Sequence, residues 1–235
     1  MGRNYDGGNG TMPGINKAKT ASMILAGIVK EAHSVRDLFS QDARMGNAFV
    51  RVGNDFAAMT PTGNKFDMNA GHVSIVNIRS GIAINGVKQT SEYRMYLEIL
   101  RALPGTTAGM HLHGCFSLPL VKVMGAESLG MDDFAEADHY LGKRGKKGRI
   151  CKVKGKSGSI ELAKAVAGAF LDGAQVVIIF GPNNEYHGTV AISSSNDPLG
   201  AAREALNKLI DVEYAAKVKI AEFFLREKQL RGKRL

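Results

Sequence analysis

The chain has 235 residues, of which 44% are hydrophobic and 23% charged, as in an ordinary soluble globular protein able to bury a proper core. No apolar run approaches the roughly 20 residues that a membrane span needs, and the polar, glycine-rich residues 1–16 do not resemble a signal peptide. Two cysteines cannot form a disulfide framework, so we expect a cytoplasmic protein that binds no membrane.

The net charge of +9 is concentrated in Lys143–Lys156 and in the tail from Arg226 to Arg234. Such an excess is typical of nucleic-acid binding, but it also attracts anionic metabolites. The first stretch (KRGKKGRICKVKGK) contains no aromatic residue on which a base could stack. We therefore interpret residues 143–156 as a solvated basic loop that steers anionic substrates, and we do not expect a nucleic-acid partner.

The first half of the chain predicts helices followed by short strands. Residues 1–14 form a loose leader, and Ile15–His33 has apolar residues at helical spacing. A second short helical stretch extends to about Gln41. The period then changes, and segments broken by Gly, Asn and Pro predict strands at 48–52, 55–60, 72–78 and 82–84.

In the second half, strands and helices alternate without a strict order. We predict helices at 91–103, 116–124, 132–140, 160–171 and 197–230, the last with a break near Asp211, and strands at 107–113, 150–153, 174–180 and 188–193. Thr90 or Ser91 can cap the helix at 91–103. Because no repeat or linker is evident, we predict one α/β domain over residues 1–235, with a mixed or antiparallel sheet covered by helices.

The strongest local motif is His111-Leu112-His113 on a predicted strand. Alternate residues of a strand face the same side, so both imidazoles can bind one metal ion. An isolated pair of this kind is more often a surface accident. His187, at the exit of a fully apolar strand, is well placed as a third ligand, and three protein ligands leave one zinc position open for substrate.

Glu92 is the candidate acid/base, and it follows Thr90 and Ser91 at the start of a predicted helix. It could act in catalysis, or it could simply be a first-turn glutamate that interacts with the helix dipole. Helix arguments alone favour the second interpretation. His33, His72 and His139 are assigned no role, because such residues are more often surface or packing histidines. Cys115, two residues past the histidine pair, is expected to be a small buried residue.

Six blocks occur in an order that resembles the class II aldolase/adducin family over about residues 21–224. The blocks are Gly46-Asn47, Thr60-Pro61-Thr62-Gly63, Thr90-Ser91-Glu92, Pro104, His111-Leu112-His113 and His187-Gly188. The resemblance implies a three-layer α/β/α domain with a mixed, mainly antiparallel sheet. It also implies a homotetramer with active sites between neighbouring subunits.

The same resemblance implies roles for residues in these blocks. Glu92 would be the catalytic acid/base, and His111, His113 and His187 would bind Zn²⁺ or another divalent metal such as Mn²⁺ or Co²⁺. The substrate phosphate would be bound by Gly46, Asn47, Thr62, Gly63, Thr90 and Ser91. Hydroxyls, an amide and glycine N–H groups suit an anion, and the N-terminus of a helix binds phosphate readily.

The function implied is zinc-dependent, reversible aldol cleavage of a ketose phosphate to a ketone phosphate and an aldehyde. Dehydratases and decarboxylases of related sugar phosphates or acids remain alternatives. Epimerases rank lower, because they typically carry Asp at the position of Glu92. A non-enzymatic adducin-like interaction protein is disfavoured, since adducin lacks the metal histidines. Tyr140 and Tyr214 are candidates for a second proton donor.

Overall fold

The structure is a computed structural model that describes residues 13–35, 38–39, 46–63, 68–124 and 150–232. Its strands are β1 (Asn47–Val52), β2 (Phe56–Met59), β3 (Ser74–Asn77), β4 (Ala108–Leu112), β5 (Ile150–Lys154), β6 (Val176–Phe180) and β7 (Tyr186–Ser193). Its helices are α1 (Pro13–Ser34), α2 (Tyr93–Ala102), α3 (Ser117–Met124), α4 (Ile160–Leu171) and α5 (Pro198–Gly232), with a short 3₁₀ helix at Ala70–His72.

The strands form one sheet in the order β3-β2-β1-β4-β7-β6-β5. Only β5 and β6 are parallel, and every other neighbouring pair is antiparallel. The predicted mixed, mainly antiparallel sheet is therefore confirmed. Strand β4 lies at the centre, where His111 pairs with Asn47 of β1 on one side and with Val190 of β7 on the other.

Helices cover both faces of the sheet, which confirms the three-layer arrangement. On one face, α1 and α5 pack through Leu25 and Leu209 against inward residues such as Met110. On the other face, α2 and α4 pack through Tyr96 and Val166 in a second buried cluster. Each fully buried aliphatic or aromatic side chain contributes about 1.5–3 kcal/mol to the stability of the fold, because its apolar surface is removed from water. Strand β6 is buried along its whole length, so its sequence is continuously apolar.

Local chemistry explains the limits of α4, which matches its predicted residues 160–171. The Ser159 side chain accepts a hydrogen bond from the N–H of Leu162 at 3.1 Å and so caps the helix. Two residues past its end, Gly173 has a φ of +94°, a conformation that suits glycine. Most other predicted helices and strands are confirmed within a few residues.

Three local predictions are wrong. Residues 82–84 form no strand, and Ala83 makes only an isolated bridge to Val76. The predicted strand at 72–78 begins only at Ser74, because residues 70–72 form the 3₁₀ helix. Helix α5 is unbroken at Asp211, since Val212 and Leu209 beside it are buried continuously against the sheet.

Other predictions fall wholly or partly outside the described residues. These are residues 1–12 of the leader predicted at 1–14, the helix at 132–140, and most of the short helical stretch ending near Gln41, in which Leu38 and Phe39 form a turn and an isolated bridge. The leader prediction is wrong for Pro13 and Gly14, which begin α1. Of the predicted basic loop at 143–156, the part at Ile150–Lys154 is strand β5. Within the part of the chain described, no helix combines the length and apolarity that a membrane crossing requires.

Candidate metal centre

The fold brings the three predicted histidines together at one end of β4 and β7. His111 lies on β4, His113 follows it, and antiparallel pairing of β4 with β7 carries His187 alongside. One ring nitrogen from each lies within 4.8 Å of the other two. Because their positions in the chain are separated by up to 76 residues, the convergence comes from sheet pairing rather than from local sequence.

His111 is fully buried and its ring orientation is fixed. Its Nδ1 lies 3.1 Å from the carbonyl oxygen of Thr189, to which an Nδ1–H donates, and its Nε2 lies 3.0 Å from Nε2 of His113. Burial, together with the nearby His113 and His187, holds the pKa of His111 well below its usual range. The ring is therefore neutral, which is the form that binds metals.

Gly188 explains why glycine follows His187. A Cβ at position 188 would overlap the ring of His111, so any other residue would displace that ring. Glycine is equally required at position 46, where φ is +77° and a Cβ would lie 2.7 Å from Cδ2 of Leu112. Gly46 and Gly188 thus permit close packing around β4.

The donor set fits a divalent ion. Nε2 of His187 is buried and has no hydrogen-bond partner among the described residues. Leaving a buried nitrogen unpaired lowers the stability of the fold, so a ligand at this atom is expected. Zn–N bonds of about 2.0–2.1 Å in a tetrahedral site separate two nitrogen ligands by about 3.3 Å, close to the 3.0 Å between His111 and His113. A cation there would be bound by the lone pairs of the three nitrogens.

Glu92 lies beside this centre and does not act as a helix cap. It occupies the N-cap position of α2, yet its side chain makes no capping hydrogen bond, and neither does Ser91 or Thr90 cap the helix as predicted. Thr90 Oγ1 instead accepts from the N–H of Glu92 at 3.5 Å. The carboxylate is 4% exposed, with Oε1 at 3.6 Å from Nε2 of His187.

The surroundings of Glu92 keep it ionised. Burial alone would raise its pKa, but contacts from His187 and a hydrogen bond from Ser157, together with electrostatic interactions with His111 and His187, lower the pKa to about 2. Burial and the negative charge of Glu92 together raise the pKa of Tyr96. The hydroxyl of Tyr96 donates to the carbonyl oxygen of Asn47 at 2.8 Å. A buried, ionised carboxylate beside three imidazoles can accept a proton from a bound substrate.

Ser157 is a site residue that the sequence analysis missed. Its Oγ donates a short hydrogen bond to Oε1 of Glu92 from the turn between β5 and α4. Arg94 on α2 holds the same turn by donating from Nη1 to the carbonyl oxygen of Gly158 at 3.0 Å. The only signal was a Gly-Lys-Ser-Gly-Ser turn at the end of the basic stretch, which shows nothing of a partner 65 residues away.

The phosphate-site candidates lie at the start of β1, where Asn47 pairs with His111, and in two turns that are hydrogen-bonded to each other. The N–H of Thr90 donates to the carbonyl oxygen of Thr60 at 2.9 Å, and Thr62 Oγ1 donates to the carbonyl oxygen of Gln89 at 2.7 Å. These two hydrogen bonds join the turn at 60–63 to the turn at 89–91. Asn47 pairs with His111 and is buried, yet its Oδ1 has no partner among the described residues. Gly46 precedes it, Gly63 has a φ of +103°, and Ser91 is exposed.

The tyrosine candidates are not confirmed. Tyr140 lies outside the described residues, and Tyr214 is 52% exposed on α5. His72 takes part in capping the 3₁₀ helix, and His139 is not described. Cys115 is half-buried rather than buried as predicted, and neither cysteine forms a disulfide with a described residue.

Comparison with known proteins defines the family. The pattern of the family described as Class II Aldolase and Adducin N-terminal domain matches residues 28–220. The chain therefore belongs to the class II aldolase/adducin family, as the six blocks predicted. No curated protein matches the sequence.

Solved structures with the same fold include enzymes of sugar-phosphate chemistry. L-fuculose-1-phosphate aldolase from Thermus thermophilus is 18% identical with a TM-score of 0.67, covering 90% of this chain and 97% of its own. YgbL from Klebsiella pneumoniae, provisionally described as an aldolase/epimerase/decarboxylase, is 20% identical with a TM-score of 0.67, covering 86% and 88%. A sugar-phosphate aldolase from Thermotoga maritima is 18% identical with a TM-score of 0.59, covering 89% and 96%. At these identities the similarity establishes the fold.

Proposed function

We propose that the chain is a lyase that depends on a divalent metal, with Zn²⁺ preferred. It would reversibly cleave a ketose phosphate to a ketone phosphate and an aldehyde, in the manner of L-fuculose-phosphate aldolase. One observation carries the proposal: three histidine nitrogens converge within 4.8 Å of one another, and an ionised, buried Glu92 lies 3.6 Å from one of them. Membership of the class II aldolase family supports the reaction class.

His111, His113 and His187 would hold the ion, with Zn²⁺ preferred and Mn²⁺ or Co²⁺ as alternatives. A bound ion would supply Lewis-acid polarisation of the substrate carbonyl. The neutral His111, fixed by its contact with Thr189, is ready to bind without releasing a proton. Three protein ligands leave room for substrate oxygen atoms.

Glu92 would move the proton at the carbon next to the carbonyl. With a pKa of about 2 it is ionised at neutral pH, so it begins as the base in the direction of carbon–carbon bond formation and returns the proton in cleavage. The contacts from Ser157 and His187 are both to Oε1, so Ser157 would hold the carboxylate in one orientation.

Asn47, Thr62 and Ser91, with Gly46, Gly63 and Thr90, would bind the substrate phosphate. The turns that carry them adjoin the metal centre, and they include the start of α2, where the helix dipole favours an anion. Phosphorylated ketoses should therefore bind much better than free sugars. Removing one hydrogen bond to the charged phosphate should cost about 1.5–3 kcal/mol, so Asn47→Ala and Ser91→Ala should each raise KM for phosphorylated substrates and not for free sugars.

A cytoplasmic homotetramer is the proposed assembly. The last turns of α5 expose Phe223, Phe224 and Leu225, a cluster of apolar side chains that association would shield from water. Light scattering of the purified protein should give about four times the mass of one chain. A monomer mass would overturn this part of the proposal.

The decisive test of function is a panel of sugar phosphates incubated with metal-free protein and added Zn²⁺, Mn²⁺ or Co²⁺, with direct identification of products. A ketone phosphate and an aldehyde in equal amounts are expected. A dehydrated diketone product would indicate a dehydratase, a stereoisomer of the substrate an epimerase, and carbon dioxide a decarboxylase. No metal binding and no turnover would indicate an interaction protein, which the convergence of all three histidines disfavours.

A further inference from the structure

A second buried carboxylate lies close to the segment that follows His113 but is not used in the proposed reaction. Glu213, on α5, is 0% exposed. Its Oε2 accepts from the N–H groups of Phe116 at 2.8 Å and Ser117 at 3.2 Å, at the start of α3. Its Oε1 is buried with no hydrogen-bond partner among the described residues. Burial of an incompletely bonded carboxylate is costly, so its location requires an explanation.

Glu213 lies directly against the chain that leaves the metal ligand His113. Gly114 is the next residue, and a Cβ at that position would overlap the Glu213 carboxylate. The carboxylate therefore occupies the space of a side chain at position 114. Together with its two bonds to the start of α3, this contact fixes the path of the backbone from His113 to Ser117.

Tyr186 links this segment to the other strand. Its hydroxyl oxygen accepts from Ser117 Oγ at 2.7 Å and from the N–H of Gly114 at 3.4 Å. Tyr186 is the residue before His187, and Gly114 is the residue after His113. One hydroxyl thus connects the chain next to one proposed ligand with the chain next to another.

We propose that Glu213, Ser117 and Tyr186, here called the Glu213 cluster, set the separation of His113 and His187 and so determine the affinity of the metal centre. They are positioning residues, because they contact the backbone of Gly114, Phe116 and Ser117 and one another. The inference rests on the proposed function only in requiring that the three histidines bind a divalent ion. It does not depend on which substrate is used.

Lys208 provides a matched control on the same helix. It is 7% exposed, and its Nζ donates to the carbonyl oxygen of Ile192 at 2.8 Å, so it is also a buried charged group bonded to the backbone. Ile192 pairs with Gly109, toward the end of β4 and β7 away from the histidines. A variant of Lys208 should destabilise the fold without disturbing the ligands.

The test measures affinity for Zn²⁺ by competition with a chromophoric chelator, and the visible absorption of the Co²⁺-loaded protein. Glu213→Ala and Tyr186→Phe should each weaken zinc binding about 10- to 100-fold, as for other residues that orient metal ligands, and should alter the Co²⁺ spectrum. Glu213→Gln keeps an acceptor for Phe116 and Ser117, and should retain most of the affinity. Lys208→Met should lower stability to urea but leave zinc affinity and the Co²⁺ spectrum unchanged.

Wild-type affinity and spectrum in both Glu213→Ala and Tyr186→Phe would overturn the inference, and so would an equal loss in Lys208→Met. If Glu213→Ala does not fold, Tyr186→Phe decides, because it removes only the linking hydroxyl. Wild-type protein that binds no divalent ion would overturn the proposed function and the inference together. Wild-type zinc binding without aldol cleavage would overturn the function alone.

Discussion

Two buried glutamates differ in what surrounds them. Glu92 precedes α2 and is 4% exposed, whereas Glu213 on α5, in the helical layer on the other face of the sheet, is 0% exposed. Burial raises the pKa of both, but hydrogen bonds and electrostatic interactions with nearby imidazoles reverse the effect at Glu92, whose pKa falls to about 2. At Glu213 the bonds from Phe116 and Ser117 do not offset burial, and the pKa stays raised.

The comparison teaches that burial alone does not identify a catalytic carboxylate. The neighbours decide: Glu92 contacts an imidazole of the proposed metal centre, whereas Glu213 contacts backbone N–H groups. The first arrangement favours a charge that can exchange a proton with substrate. The second favours a fixed loop. Experiments on the two regions should therefore give different kinds of effect.

The largest expected effect is loss of the metal. Wild-type protein should carry close to one divalent ion per chain, and His111→Ala should lose it and all turnover, because two remaining protein ligands bind zinc weakly. Elemental analysis after dialysis checks this. His72→Ala is the control, since His72 is exposed in the 3₁₀ helix and should leave metal content unchanged. Full metal occupancy in His111→Ala would show that His111 is not a metal ligand.

Removing the charge of Glu92 should have the next largest effect. Glu92→Gln keeps the shape of the side chain, so the variant should bind metal but lose about 100- to 10,000-fold in kcat. Glu98→Gln on the same helix is the matched control, because the ion pair of the half-buried Glu98 among the described residues is with Arg101. Steady-state kinetics on the identified substrate measures both. Similar rates in the two variants would contradict the role assigned to Glu92.

The two glutamates should also affect stability with opposite dependence on pH in the metal-free protein. The pKa of Glu92 falls from 4.5 to about 2 on folding, so its contribution is present above pH 4.5 and is lost as pH falls toward 2. Its size is at most about 3 kcal/mol. The raised pKa of Glu213 gives the reverse: its contribution is present below pH 4.5 and is lost as pH rises through the folded-state pKa.

Urea unfolding between pH 3 and pH 7 checks these signs. The difference in the free energy of unfolding between wild type and Glu92→Gln should narrow as pH falls. For Glu213→Gln, the free energy of unfolding of wild type should rise relative to that of the variant as pH falls from 7 to 3. Parallel pH profiles for the two variants would show that their surroundings do not differ as described.

The smallest effect is expected at Ser157, which orients Glu92. Ser157→Ala removes a hydrogen bond to a charged group, worth about 1.5–3 kcal/mol, and kcat should fall about 10- to 100-fold with KM little changed. Ser159→Ala is the control in the same turn, because it removes the cap of α4 at a cost of about 1 kcal/mol in stability. If the Ser159 variant loses as much activity, the turn matters only as a whole.

Much of the fold could be predicted because its signals are local. Helix α4 follows from apolar spacing, and β6 from an unbroken apolar run. The errors arose where local pattern was weak: the segment at 82–84 alternates like a strand, but Ile82 and Ile84 are exposed and only one residue bridges to β3. Near Asp211, packing against the sheet sustains a helix that the sequence suggested would break.

The candidate site was predicted in part. Histidines and a glutamate in ordered blocks identify themselves by residue type, and the structure brings His111, His113, His187 and Glu92 together. Ser157 and Glu213 could not be found in this way. Their partners are 65 and 97 residues away in the chain, and a serine in a turn or a glutamate in a helix is common without any role.

The most direct test of the central claim, that Glu92 exchanges a proton at the carbon next to the substrate carbonyl, is deuterium exchange from solvent into dihydroxyacetone phosphate by the zinc-loaded protein. No aldehyde is added, so the measurement isolates the proton transfer from carbon–carbon bond formation. We expect wild-type protein to catalyse exchange, and Glu92→Gln with the same zinc content to be slower by at least about 100-fold. Exchange in Glu92→Gln within a few-fold of wild type, or its absence in wild type, would contradict the account.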